Sequence, residues 1–146
     1  MDLLVGQLPQ LEATGQLIHA AGTGRRNVVS RADCAVTAAG ALLTADGKSV
    51  ENVTGQEAMS LDDIAATIAK STGKPVTAVA IPGSALIKGM VEHGLPENLA
   101  VTLSAFDTDT ARGYFALTGD AVERFAGKKP TTLAEFLAAN ALQAAA

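Results

Sequence analysis

Residues 17–44, LIHAAGTGRRNVVSRADCAVTAAGALLT, constrain this chain more than any other stretch. They read as a short apolar strand from Leu17 to Ala20, a glycine turn, a second strand from Asn27 to Ser30, and then a helix. The helix is expected to open at Asp33, where a carboxylate can accept hydrogen bonds from the N–H groups that a first turn leaves unpaired. From Ala35 to Leu43 it is almost entirely Ala, Val and Leu, which predicts burial on most sides. Strands that alternate with buried helices point to an α/β arrangement with some parallel pairing.

The 146 residues suit one domain, 1–146, and a compact chain of this size buries roughly 70% of its unfolded surface. Hydrophobic residues make up 48% of the chain but aromatics only 3%, with no Trp and a single Tyr114. The core must therefore be built from Ala, Leu, Val and Ile, which favours close-packed helices over a broad aromatic binding face. A net charge of −4 argues against nucleic acid, whose affinity comes largely from Lys and Arg on phosphates. A lone cysteine, Cys34, excludes an internal disulfide and is compatible with a reducing compartment. The first residues carry Asp2 and no basic segment, unlike a secretory signal. No apolar run approaches the ~20 residues that span a bilayer, so the expected setting is cytoplasmic, without membrane or nucleic-acid partners.

Along the rest of the chain, Asp2 to Thr14 carries Leu3, Leu4, Leu8 and Leu11 at helical spacing, with Pro9 inside and Gly15 as a stop. Ala45 to Lys48 is a turn before a strand expected from Ser49 to Thr54. Ser60 and Asp63 form a capping-box variant ahead of the apolar stripe Leu61, Ile64, Ala65 and Ile68, in a helix that should end at Gly73. Pro75 to Ile81 is a further strand. Helices are then expected at Ser84–His93, Glu97 to about Phe106, Gly119–Phe125 and Leu133–Leu142, with Thr132 and Glu135 repeating the capping box. The closing alanines are expected to fray.

Ala21-Gly22-Thr23-Gly24-Arg25-Arg26 is the nearest approach to a phosphate loop. Its glycines permit close backbone approach and its arginines suit a phosphate or carboxylate. No third glycine follows and no helix starts directly after it, so the dinucleotide and Walker patterns both fail. The alternatives are a plain strand-connecting turn and an anion or substrate contact. Arg31 either pairs locally near the Asp33 cap or borders a ligand cleft. Cys34 reads as a buried inert thiol, although a helix start can lower a thiol pKa. His19 and His93 lack a second ligand at metal spacing. His19 is either a satisfied structural histidine or a side chain facing a cleft, and His93 belongs at a helix C-terminus. Tyr114 is followed four residues on by Thr118, so the Tyr-x-x-x-Lys dyad is missing. Asp107, Asp109 and Asp120 have no calcium-loop spacing and are expected to start turns and helices.

The segments GQLIHAAGTGRRNVVSRADCAVTAAGALLT, VENVTG, MSLDDIAATIAKSTGKPV, EHGLPE and PTTLAEFLAAN, in that order, resemble the NmrA-like atypical short-chain dehydrogenase/reductases. The similarity is greatest to their NAD(P)H:quinone oxidoreductase and triphenylmethane reductase branch. The resemblance implies a partial Rossmann-like C-terminal half with few strands and a helical tail, the dinucleotide-binding N-terminal half being absent. It implies NADP or NAD as the cofactor of the complete protein, with no tight binding to these residues alone, and a quinone-like acceptor. It places Gly22, Thr23, Gly24, Arg25 and Arg26, together with the Gly94-Leu95-Pro96 region, at the border of a substrate pocket; His19, if it faces a cleft, is a further pocket candidate. Asp33 would start the supporting helix, and no catalytic or metal-binding residue carries over. The face toward the missing half would be covered by a partner or in a homodimer. The alternative is a non-catalytic module that binds a small molecule or self-associates.

Overall fold

The computed structural model describes residues 1–144. The elements run α1 (Asp2–Val5), α2 (Leu8–Thr14), β1 (Gln16–His19), β2 (Arg25–Asn27), α3 (Arg31–Thr44), β3 (Ala58–Ser60) and α4 (Leu61–Thr72). They continue with β4 (Thr77–Ala80), α5 (Gly83–Glu92), α6 (Glu97–Ala111), α7 (Ala121–Ala126) and α8 (Leu133–Ala144). The class is α/β, with a helical C-terminal portion as expected. The expectation for the last two alanines lies outside the described residues. Among the described residues, no helix is long and apolar enough to cross a membrane.

β1 and β4 pair in parallel, from Gln16 opposite Thr77 to His19 opposite Ala80. The ladder continues past both strands, with Thr77 N donating to Gly15 O at 3.0 Å and Ile81 N to His19 O at 2.8 Å. β2 and β3 form a separate antiparallel pair, Arg25 opposite Ser60 and Asn27 opposite Ala58.

α4 organises the core. Ser60 Oγ accepts from Asp63 N at 3.1 Å while the Asp63 carboxylate accepts from Ser60 N at 3.0 Å, so the capping box forms in full. Gly73 ends the helix in the left-handed region at φ 71°. The stripe Leu61, Ile64, Ala65 and Ile68 packs with Leu8, Leu11, Leu17, Ala21, Val76, Leu133 and Leu137 in one buried cluster. These side chains are aliphatic throughout, as the low aromatic content requires.

Several local expectations change. The Asp2–Thr14 segment is two helices, broken at Gly6 and Gln7, with Pro9 in the first turn of the second, where a missing N–H is harmless. The strand expected at Asn27–Ser30 lies at Arg25–Asn27 instead, where it pairs with β3, and Ser30 serves as the cap of α3. Asp33 is thus not the cap. It is the third residue of the helix, and its N–H donates to Ser30 Oγ at 3.0 Å. α3 is not buried on most sides either. Asp33 and Thr37 are its buried residues, while Leu42 and Leu43 are 88% and 85% exposed. The packed face lies against α7, where a Cβ on Gly40 would stand 1.9 Å from Phe125 O.

Ser49–Thr54 forms no strand. The segment packs against the 119 turn instead: Gly119 N donates to the Thr54 side chain Oγ1 at 3.0 Å, and Gly119 lies so near Asn52 that a Cβ would meet its carbonyl at 2.8 Å. The strand in this region is β3, further along.

Candidate functional site

In open α/β sheets, ligands sit outside the carboxyl ends of parallel strands. Here those ends are His19 and Ala80, side by side. β1 continues through Ala20 and Ala21 into the Gly22–Gly24 turn, and β4 continues through Pro82 into α5. The two exits are close: a Cβ on Gly83 would stand 4.0 Å from Ala20 Cβ and 3.6 Å from Ser104 Oγ.

Asp107 of α6 fastens this corner. One carboxylate oxygen accepts from Ala20 N at 2.8 Å and the other from Arg26 Nη2 at 2.6 Å. The pair is largely removed from solvent, with side-chain exposures of 25% for Arg26 and 13% for Asp107. Gly24 closes against the same helix, where a Cβ would lie 2.3 Å from Thr110 O, so only glycine fits. Gly22 turns the chain at φ 53° in open space, and Thr23 is exposed at the tip. Arg25 donates to Ala58 O at 2.9 Å and pairs with Asp63 at 3.1 Å. The segment is therefore a strand-connecting turn in which both arginines already have protein partners.

His19 lies on the inner face of β1 with Leu17 and is 5% exposed. Ala21 N donates to its Nδ1 at 3.2 Å, which assigns the ring proton to Nε2. Nε2 has no protein partner but keeps contact with solvent, since the buried unpartnered side-chain atoms among the described residues are Arg26 Nε and Asn27 Oδ1. Burial lowers the His19 pKa. The negative charge of Asp107 opposes this, Arg26 reinforces it, and Asp62 opposes it. The imidazole is accordingly neutral at pH 7.

Leu95 and Pro96 do not join this cluster. Leu95 N bonds to Met90 O, and Pro96 O accepts from Leu99 N and Ala100 N at the start of α6. Asp107 lies eleven residues further along that helix, about 16 Å away at the α-helical rise.

Asp107 lies within α6 rather than at an element start, and no local pattern marks it, because its partners are more than eighty residues away in sequence. Asp109 is also within α6, facing Arg112 at 3.6 Å, and Asp120 stands at the α7 cap without a side-chain cap bond. Cys34 is half-buried rather than buried. His93 does end α5, with Nδ1 2.8 Å from Gly89 O. Arg31 is exposed, and its backbone N donates to Asp2. Among the described residues, no three His, Cys, Asp or Glu converge as a metal site.

Asp33 has a different task. Its fully buried carboxylate pairs with Lys128, accepts from Thr131 N at 2.9 Å and accepts from Ser30 Oγ at 2.9 Å. It ties the start of α3 to the segment between α7 and α8. Burial alone would raise its pKa, but the bonds from Lys128, Thr131 and Ser30 prevail and hold it at about 2.

Two concavities lie elsewhere. A cleft of about 270 Å³ is lined by Val28, Gln56, Met59, Thr131 and Leu133 among others. An open groove of about 640 Å³ runs along α3 past Leu42, Val53 and Phe125. Neither is lined by His19, by the 22–26 turn or by Leu95 and Pro96. The unpartnered, solvent-facing Nε2 of His19 at the end of β1 makes that corner the better chemical candidate.

No protein-family model matches the chain. It is 32% identical over 132 residues to the uncharacterized oxidoreductase YesF of Bacillus subtilis, covering 90% of this chain and 46% of that protein. The fold is similar to the NADPH-dependent quinone oxidoreductase of Escherichia coli, with a TM-score of 0.87 at 28% identity over 94% of this chain and 50% of that one. It is also similar to the Citrobacter triphenylmethane reductase complexed with NADP(H), with a TM-score of 0.84 at 25% identity over 97% of this chain and 50% of that one. The chain spans about half the length of the relatives it matches.

Proposed function

We propose that this chain, whose sequence and fold are those of one half of an NmrA-like reductase, is the C-terminal, substrate-side half of an NAD(P)H-dependent enzyme that reduces quinone-like acceptors. The half-length match to a quinone oxidoreductase carries this reading. The end of the β1–β4 pair supports it, because a neutral histidine and a matched Arg26–Asp107 pair stand where α/β sheets take their ligands.

The described residues do not fit a dinucleotide pyrophosphate. Gly24 backs onto Thr110, both neighbouring arginines are paired, and β2 rather than a helix follows the turn. The nicotinamide cofactor, NADP or NAD, therefore belongs to the other half, and no hydride step is assigned to residues of this chain. In this reading the residues 1–146 act as one unit, and a dinucleotide-binding half covers the sheet face that carries the half-exposed Ile18. Parallel sheets are covered on both faces in known folds, which supports such a partner.

Calorimetric titration of the chain with NADPH and NADH is the first test, followed by a quinone-reduction assay with a dinucleotide-binding half supplied. No saturable cofactor binding to the chain alone, with turnover once the halves are combined, is the expected result. Micromolar cofactor binding by the chain alone, or no turnover by the combined halves, contradicts it. A non-catalytic, self-associating module is the second reading, favoured by the exposed Leu42 and Leu43 of α3.

A further inference from the structure

We propose that His19 binds a carbonyl oxygen of a neutral, quinone-like ligand through its Nε2–H. This rests on the acceptor class proposed above and adds the atom that recognises it.

The ring is already oriented for that task. Ala21 N–H occupies Nδ1, so the one remaining polar atom is a donor, and it has no partner among the described residues. The ring is 5% exposed, and an acceptor at Nε2 would replace the solvent that this atom still meets. Arg26 Nε–H also lacks an acceptor, but it is buried out of a ligand's reach. The two residues are linked through Asp107, which binds Arg26 and the backbone N–H of Ala20, the residue after His19. The strand exits carry the small residues Ala20, Ala80 and Gly83.

Charge selects the ligand class. The positive charge of Arg26 is matched by Asp107 at 2.6 Å, and Asp62 adds a further negative charge that His19 feels. The neutral imidazole contributes none. Such a site offers hydrogen bonds without net positive charge, which suits a carbonyl and disfavours a carboxylate or phosphate.

The test follows the imidazole nitrogens of the full chain by long-range proton–nitrogen correlation during titration with tetramethyl-1,4-benzoquinone. This quinone has no free ring position for attack by the half-buried Cys34 thiol. His19 should show the Nε2–H tautomer, and its Nε2 signal should move saturably while His93 stays still. Benzoate should leave it unmoved. In calorimetry, His19→Leu should weaken quinone binding about tenfold, the value of one lost hydrogen bond, whereas His19→Gln, which retains an N–H donor, should stay within about threefold. Quinone binding with an unmoved Nε2 overturns the role of His19 and leaves the acceptor class standing. No quinone binding by the wild-type chain overturns the role of His19, while turnover by the combined halves decides the acceptor class separately, and an equal response to benzoate overturns the choice of a neutral carbonyl. The spectrum of the wild-type chain decides the matter even where His19→Leu fails to fold.

Discussion

Asp107 and Arg26, 81 residues apart in sequence, meet at 2.6 Å, and the same carboxylate holds the backbone N–H of Ala20. One side chain of α6 thereby fixes both sides of the turn that leaves β1. Removing the charge of Asp107 leaves a largely buried guanidinium uncompensated, with its Nε already lacking a partner. Asp107→Asn should lower the unfolding free energy by about 2–4 kcal/mol in urea titration, and Arg26→Met added to it should recover part of that loss. With Arg26→Met also measured alone, a double variant that loses the sum of the two single losses would show that the pair carries no coupling.

Asp33 sets an acid limit. Its folded pKa of about 2 lies below the usual 3.8. A carboxyl depressed on folding adds stability that is present above its unfolded pKa and lost as pH falls through the folded one. The expected loss therefore runs from about pH 4 down to about pH 2 and amounts to about 2 kcal/mol. Asp33→Asn should flatten that part of the stability profile and lower the plateau at pH 7. An unchanged profile would mean that Lys128 and Thr131 do not hold the carboxylate in solution.

What the sequence made legible was local. Ser60 with Asp63, and the left-handed glycines 15 and 73, have their capping partners within four residues, so spacing alone placed α4 and the end of α2. Ser30 and Asp33 have the same three-residue spacing, but Asp33 looked like a cap because its larger role, with Lys128 and Thr131, lies 95 and 98 residues away. The Ala-, Val- and Leu-rich face of α3 suggested burial, yet only one side meets α7. Composition alone does not reveal how many neighbours a helix has. At the candidate site His19 was legible as a choice between two roles. The residue that fixes its corner, Asp107, was not, because a mid-helix aspartate has no local signature.

The glycines provide a contrast that packing decides. Gly40→Ala would push a Cβ to 1.9 Å from Phe125 O, and Gly24→Ala to 2.3 Å from Thr110 O, both backbone atoms that cannot swing aside. Each should destabilise the chain by about 3 kcal/mol or more. Gly89, inside α5, has nothing within 4 Å of its would-be Cβ. Gly89→Ala should therefore raise stability by about 0.5–1 kcal/mol, since alanine surrenders less backbone freedom in a helix. Thermal melts of the three variants check the ranking, and a neutral Gly40→Ala would contradict the close α3–α7 approach.

Two apolar surfaces compete to explain how the chain associates, and they can be separated. Ile18 points out of the parallel pair at 48% exposure, while Leu42 lies on α3 at 88%. A face that completes a sheet must match its partner closely, so burying a charge there is costly, whereas an exposed helix residue tolerates one. Burying the remaining half of an isoleucine is worth about 1 kcal/mol or slightly more. Ile18→Lys should thus weaken association with a dinucleotide-binding half about tenfold or more in sedimentation velocity, with little change in the melting temperature of the chain alone. Leu42→Lys should leave that association unchanged. If Leu42→Lys instead abolishes self-association and Ile18→Lys does nothing, α3 is the working interface and the self-associating module is the better reading.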